Sequence, residues 1–138
     1  MPRITKDEYY LNIALAVARR STCLRRQYGA VIVKDDCIIS TGYNGSSRGD
    51  INCCDVGECW RQANNIPHGA MYEMCVAVHA EDNAISQAGR EAIGATIYLA
   101  GLEDGKPIKA EPCGMCARKI KNARIKEVVV DADRSNRR

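Results

Sequence analysis

Two segments far apart in the chain limit how it can fold: His79-Ala80-Glu81, and Pro112-Cys113-Gly114-Met115-Cys116. One imidazole and two thiolates fill three positions of a tetrahedral zinc and leave the fourth for water, whereas a closed structural site needs a fourth protein ligand. Zinc lowers the pKa of such a water from about 15.7 to roughly 7. Glu81, two residues beyond the histidine and outside the ligand set, is the natural proton carrier. A fold that uses this chemistry has to bring both segments to one point.

Periodicity indicates how the chain does so. Thr5-Lys6-Asp7-Glu8 has the capping-box form and precedes Tyr10, Ala14, Val17 and Ala18 at helical spacing. This predicts an amphipathic helix to about Arg20 whose apolar stripe is core. Ala30–Lys34 and Cys37–Thr41 flank Asp35-Asp36 and read as a hairpin with a tight turn. A second helix from about Val78 to Gln87 carries His79 and Glu81, with Gly89 suited to its end. Ala95–Ala100 is a third strand. The turn-rich linker from Gly101 to Ala110 is either a lid over the site or a plain surface loop. Pro112 opens a third helix from Cys113 to about Asn122, and Glu127–Val130 forms a fourth strand. Alternating strands and helices imply crossovers that pack helices on the faces of one sheet. Both ligand segments then sit at helix N-termini, where the partial positive charge favours thiolate over thiol.

Between Tyr43 and about Tyr72 the periodicity vanishes into a polar stretch rich in Gly, Asn and Cys. A structureless loop that long inside a compact domain calls for a function or a metal. The 138 residues, 46% of them hydrophobic, are otherwise enough for one domain, here 1–138 with a cysteine-rich insertion at about 43–76. A formal net charge of +3 is too small to argue for nucleic acid, and the run from Asp133 to Arg138 reads as a solvated end. No stretch is apolar enough to span a membrane, and the N-terminus lacks the apolar region of a signal peptide. A cytoplasmic location is therefore expected, and the eight cysteines read as thiols and metal ligands instead of a disulfide framework. Cys23 and Cys37, without ligand-like neighbours in sequence, are expected to be small buried apolar residues.

His-x-Glu followed by Pro-Cys-x-x-Cys is the signature of zinc-dependent nucleobase deaminases. Further segments narrow the match: Arg25-Arg26-Gln27-Tyr28-Gly29-Ala30-Val31-Ile32-Val33, Thr41-Gly42-Tyr43-Asn44-Gly45, Val78-His79-Ala80-Glu81-Asp82-Asn83-Ala84-Ile85 and Pro112 to Ala117. On these the chain resembles the deoxycytidylate (dCMP) deaminases of the cytidine/deoxycytidylate deaminase superfamily, over most of residues 5–130. The resemblance implies a three-layer α-β-α cytidine deaminase-like fold with a mixed central sheet. It implies a catalytic Zn2+ on His79, Cys113 and Cys116. It implies hydrolytic attack at C4 of the cytosine ring, with Glu81 moving a proton to N3 and then to the departing amino group. The products it implies are dUMP, a precursor for thymidylate synthesis, and ammonia.

Asn44 matches the sugar-contacting position and would bond the 3'-hydroxyl, although Asn-Gly is also an ordinary turn pair. A phosphate needs a cationic pocket, for which Arg26, Arg48 and Arg90 are the candidates; read alone, each is a surface charge. Related deaminases can carry a second, structural zinc in the insertion. Here Cys54, Cys59 and Cys75 would be its core ligands, completed by Cys53 or His68, the alternative being reduced and partly buried thiols. Relatives usually continue past the fourth strand with another helix and strand, whereas Val130 is followed by eight mostly polar residues, so a shorter sheet or a truncated sequence is expected. A neighbouring subunit would cover that edge, consistent with the family habit of homo-oligomers, often hexamers. Two other readings use the same motifs. A tRNA or DNA adenosine or cytidine deaminase would need a basic groove that the composition does not advertise, and a non-catalytic zinc-binding module would not deaminate.

Overall fold

Thr5 opens the first helix. Its hydroxyl accepts from the Glu8 amide at 3.1 Å in the computed structural model, which describes residues 2–46, 49–67 and 77–130. Helix α1 (Lys6–Ala18) ends two residues before the expected Arg20, because the amides of Arg20 and Ser21 bond three residues back and tighten the last turn. Tyr10, Leu11, Ala14 and Ala18 are its buried residues.

The hairpin is longer than the apolar runs suggested: β1 (Gln27–Lys34) pairs antiparallel with β2 (Cys37–Tyr43). Asp35 and Asp36 both take positive φ, 52° and 59°, the left-handed pair that a two-residue hairpin turn requires. The insertion is not structureless where it is described. It contains β3 (Gly45–Ser46), α2 (Cys53–Val56) and α3 (Trp60–Ala63), and β3 pairs with β4 (Ala77–Val78). Next come α4 (Ala80–Ala88), a 3-10 turn over Gly89–Ala92, and β5 (Thr96–Glu103). The linker expected to be a lid or loop is neither. Gly101 to Glu103 complete β5, Asp104 and Gly105 turn with positive φ, and β6 (Lys106–Ile108) pairs back onto β5. Helix α5 (Gly114–Asn122) and strand β7 (Glu127–Val130) complete the described chain, with β7 parallel to β5.

Strand order is β2-β1-β5, with β6 and β7 both on the far side of β5. Antiparallel pairing of β1 with β5 and parallel pairing of β7 make the sheet mixed. Side-chain alternation then builds both faces. Val31 and Val33 of β1, with Tyr98 and Ala100 of β5, pack under Tyr10, Leu11 and Ala14 of α1. Ala30, Ile32, Ile97 and Leu99 face the other way, against Ala80, Ala84 and Ala88 of α4 and Ile120 of α5. The architecture is three-layer α-β-α, as expected.

Helix α4 lies close on the sheet because small residues meet there. A Cβ placed on Gly42 of β2 would come within 2.5 Å of the Ala80 carbonyl oxygen and of the Ala84 nitrogen. The Ser40 hydroxyl, on the same strand, donates to the Ala84 carbonyl at 2.7 Å. Strand β2 thereby fixes the helix whose first turn carries Glu81. Among the described residues no helix is long and apolar enough to cross a membrane.

Candidate metal centre and its cavity

His79 precedes α4 instead of lying within it. It is the N-cap residue, with extended backbone (φ −69°, ψ 153°) and no side-chain capping bond, and its ring is turned toward α5. Cys113 likewise caps α5, which begins at Gly114, one residue later than the expected start at Cys113, and its sulfur accepts from the Cys116 amide at 3.5 Å. Two caps with extended backbones face one another across the gap between the helices. His79 Nδ1 is 3.3 Å from Cys116 Sγ and 3.5 Å from Cys113 Sγ. Among the described residues these form the one group of three metal-ligating side chains, all ligand atoms lying within 4.8 Å of one another.

The spacing suits zinc. Tetrahedral geometry with Zn–N of about 2.05 Å and Zn–S of about 2.3 Å puts nitrogen and sulfur roughly 3.6 Å apart. The electrostatics point the same way. Burial pushes the Cys116 thiol far above its ordinary range, and the neighbouring Glu81 and Cys113 add to the shift. Such a cluster of buried acidic groups is relieved by a cation. Burial, and then Lys119, lower the pKa of His79, which favours the neutral imidazole that ligates metals.

Glu81, in the first turn of α4, is only 5% exposed. Burial raises its carboxyl pKa, opposed in part by hydrogen bonds, including one with Cys116. One turn from the ligands, Lys119 of α5 donates to Asp82 of α4 at 2.6 Å.

A cavity of about 560 Å³ opens over this centre, lined by His79, Glu81, Cys113 and Asn44 among others. Asn44 is 8% exposed, and its amide is already engaged: Oδ1 accepts from the Tyr28 amide at 2.7 Å and Nδ2 donates to the Arg26 carbonyl at 2.9 Å. One N–H and one lone pair of that amide are left over. Arg26 also lines the cavity, with Nε 2.9 Å from Glu103. Arg90 does not: it is exposed in the turn beyond the C-terminal end of α4, a helix length from the site. Arg48 lies outside the described residues.

Three basic residues that motif proximity did not single out line the cavity: Arg25, Arg61 and Lys109. Arg61, only 6% exposed, donates to the Pro67 carbonyl at 2.8 Å, and Arg25 donates to the neighbouring Ile66 carbonyl at 2.6 Å. Arg25 adjoins Arg26 in a matching segment and was within reach of sequence reading. Arg61 sits in the irregular insertion, where spacing carries no signal.

Of the insertion cysteines, Cys53 and Cys59 line the cavity, whereas Cys54 is exposed with its sulfur 4.0 Å from Asp55. His68 and Cys75 lie outside the described residues. Cys23 and Cys37 are not the buried apolar residues expected: Cys23 is half-buried on the cavity wall, and Cys37 is exposed at the start of the edge strand β2.

The sequence is 41% identical over 134 residues to a deoxycytidylate deaminase of Mycobacterium phage D29, covering 94% of this chain and 96% of that protein. It is 38% identical over 125 residues to the deoxycytidylate deaminase of Schizosaccharomyces pombe, covering 89% of this chain but 36% of that protein. The chain thus spans about a third of the yeast protein's length. A dCMP deaminase from the cyanophage S-TIM5 superposes with a TM-score of 0.64 at 24% identity, over 91% of this chain and 82% of that one, a likeness of fold. A family model for the cytidine and deoxycytidylate deaminase zinc-binding region matches residues 4–132. With motif, fold and donor set in agreement, the chain belongs to the cytidine and deoxycytidylate deaminase family.

Proposed function

We propose that this protein hydrolyses dCMP to dUMP and ammonia. The observation that carries the reading is the buried carboxyl of Glu81 beside the His79, Cys113 and Cys116 donors, in one cavity with four basic side chains. At about 560 Å³ that cavity is of the size that holds a small ligand.

When bound by His79, Cys113 and Cys116, zinc supplies a Lewis acid that makes water nucleophilic near neutral pH. Glu81 does the proton transfer. Its carboxylate takes a proton from the attacking water and delivers it to ring N3, then takes the second proton from the new C4 hydroxyl and gives it to the amino group. The new C4–O bond forms, the C4–N bond breaks, and ammonia leaves. Asn44 offers its remaining N–H and lone pair to the sugar. Arg25, Arg26, Arg61 and Lys109 make the wall cationic toward the phosphate, Arg26 and Lys109 already sharing charge with Glu103 and Glu111.

A structural zinc in the insertion belongs to the same proposal, drawn from Cys53, Cys54, Cys59, His68 and Cys75. So do a cytoplasmic location and assembly into homo-oligomers. The test is a comparison of dCMP, deoxycytidine, CMP and a tRNA anticodon stem as substrates. dCMP should exceed deoxycytidine in kcat/KM by more than about tenfold, the discrimination that an ion-paired phosphate contributes. Comparable values for nucleotide and nucleoside, or turnover of the stem alone, would overturn the reading.

A further inference from the structure

The two helices that present the metal donors are also joined by an ion pair. Asp82 stands three residues after the cap residue His79, in the first turn of α4, and Lys119 stands three residues after Cys116, one turn along the same face of α5. Lys119 Nζ and Asp82 Oδ2 are 2.6 Å apart, with side-chain exposures of 50% and 29%. Both charges sit at the helix ends that favour them, Asp82 in the first turn of α4 and Lys119 in the last turn of α5. Helix α4 is seated on β2 at Gly42 and α5 on the core through Ile120, so each is fixed to the sheet separately. The ion pair links them directly. The ammonium is also within electrostatic range of both thiols and of the imidazole.

We propose that Asp82 and Lys119 are positioning residues of the metal centre, setting the separation of α4 and α5 at which one imidazole and two thiolates meet a single ion. The inference rests on the reading that His79, Cys113 and Cys116 hold that ion. A half-exposed pair contributes little to global stability, so the effect should appear in the metal site and not in the melting temperature.

The test uses zinc-loaded full-length Asp82→Asn, Lys119→Met, the double variant, and the charge swap Asp82→Lys with Lys119→Asp. Zinc release to a chelator is timed for each, and the visible ligand-field spectrum is recorded after cobalt replacement. The release phase belonging to the triad is the one that Cys113→Ser abolishes. Each single variant should release that ion about two- to fivefold faster and shift the cobalt spectrum. The double variant should be no worse than the singles, because one interaction is lost only once. The swap should recover part of the loss, being opposed by both helix dipoles. Lys6→Met, which breaks the exposed Lys6–Asp36 pair away from the site, serves as control. Unchanged release and spectra in both single variants, or equal acceleration by Lys6→Met, would overturn the inference while leaving the metal reading intact. A wild-type protein with no phase abolished by Cys113→Ser would overturn both.

Discussion

Burial of Glu81 works for proton transfer and against the stability of the empty site. A carboxyl whose folded pKa lies above its unfolded value stabilises the fold at pH below the unfolded pKa, and that contribution is lost as pH rises through the folded value. Above the raised value the metal-free fold holds a buried carboxylate. Glu81→Gln should therefore melt higher than wild type when both are metal-free near neutral pH, and the advantage should vanish below the ordinary carboxylate range of about 4. Thermal melts across that window check the sign. With zinc loaded, the same variant should lose at least about 10²- to 10⁴-fold in kcat while keeping the triad's zinc, because the amide preserves shape but cannot carry the proton. Wild-type turnover in the glutamine variant would remove Glu81 from the reaction. His79, Glu81, Cys113 and Cys116 were legible in the sequence because each motif is local. Arg61 was not, since its place on the cavity wall depends on how an irregular segment folds back.

At the scale of elements, the metal centre depends on how closely α4 approaches β2. Gly42 permits that approach, and Gly42→Val would put a branched side chain where the Ala80 carbonyl and Ala84 nitrogen stand. Overpacking of this kind costs about 1 to 3 kcal/mol, lowering the melting temperature. Displacement of the first turn of α4 should also lower kcat on dCMP more than it raises KM, because it moves Glu81 and His79 relative to α5. Stability loss without any change in kcat would mean that the helix slides as a body and keeps its first turn in place. The sequence pattern located α4 within two residues but put His79 inside it; β4 pairing with β3 ends the extended segment at Val78 and makes His79 the cap. Likewise Gly101 to Ile108 lacked a long apolar run, yet pairing with β5 makes a hairpin of it. Partners distant in sequence overrode local composition.

Over the whole molecule, the described part of the insertion rests on few buried side chains, among them Asn44, Cys59 and Arg61. Its described helices α2 and α3 have four residues each, too short to persist alone. They are tied in by the Cys54 amide on the Thr22 carbonyl at 3.1 Å and by Arg25 and Arg61 on the carbonyls of Ile66 and Pro67. If a second zinc completes this support, pure protein should contain about two zinc per chain. Cys59→Ser should then remove one of them, and the insertion should become more open to protease. Activity would fall indirectly, since Asn44 and Arg61 border the cavity from that side. A stoichiometry near one zinc, unchanged by Cys59→Ser, would make Cys53 and Cys59 plain thiols of the cavity wall.

The sequence by itself determined the chemistry and the alternation. The candidate donor types, the candidate proton carrier, the Asp35-Asp36 turn and the two-sided strands Ala30–Val33 and Ile97–Ala100 are each written in a short local segment, where residue type and spacing carry the signal. Only the tertiary structure decided which side chains share a space. It put Arg25, Arg61 and Lys109 around the cavity. It bonded the Asn44 amide to the backbone of β1 and its lead-in, and set Asp82 against Lys119. The physical reason is that a cavity wall is assembled from loops and helix ends whose approach is fixed by packing elsewhere, by glycine against helix and alanine against strand. Sequence spacing records that packing only where a single element carries both partners.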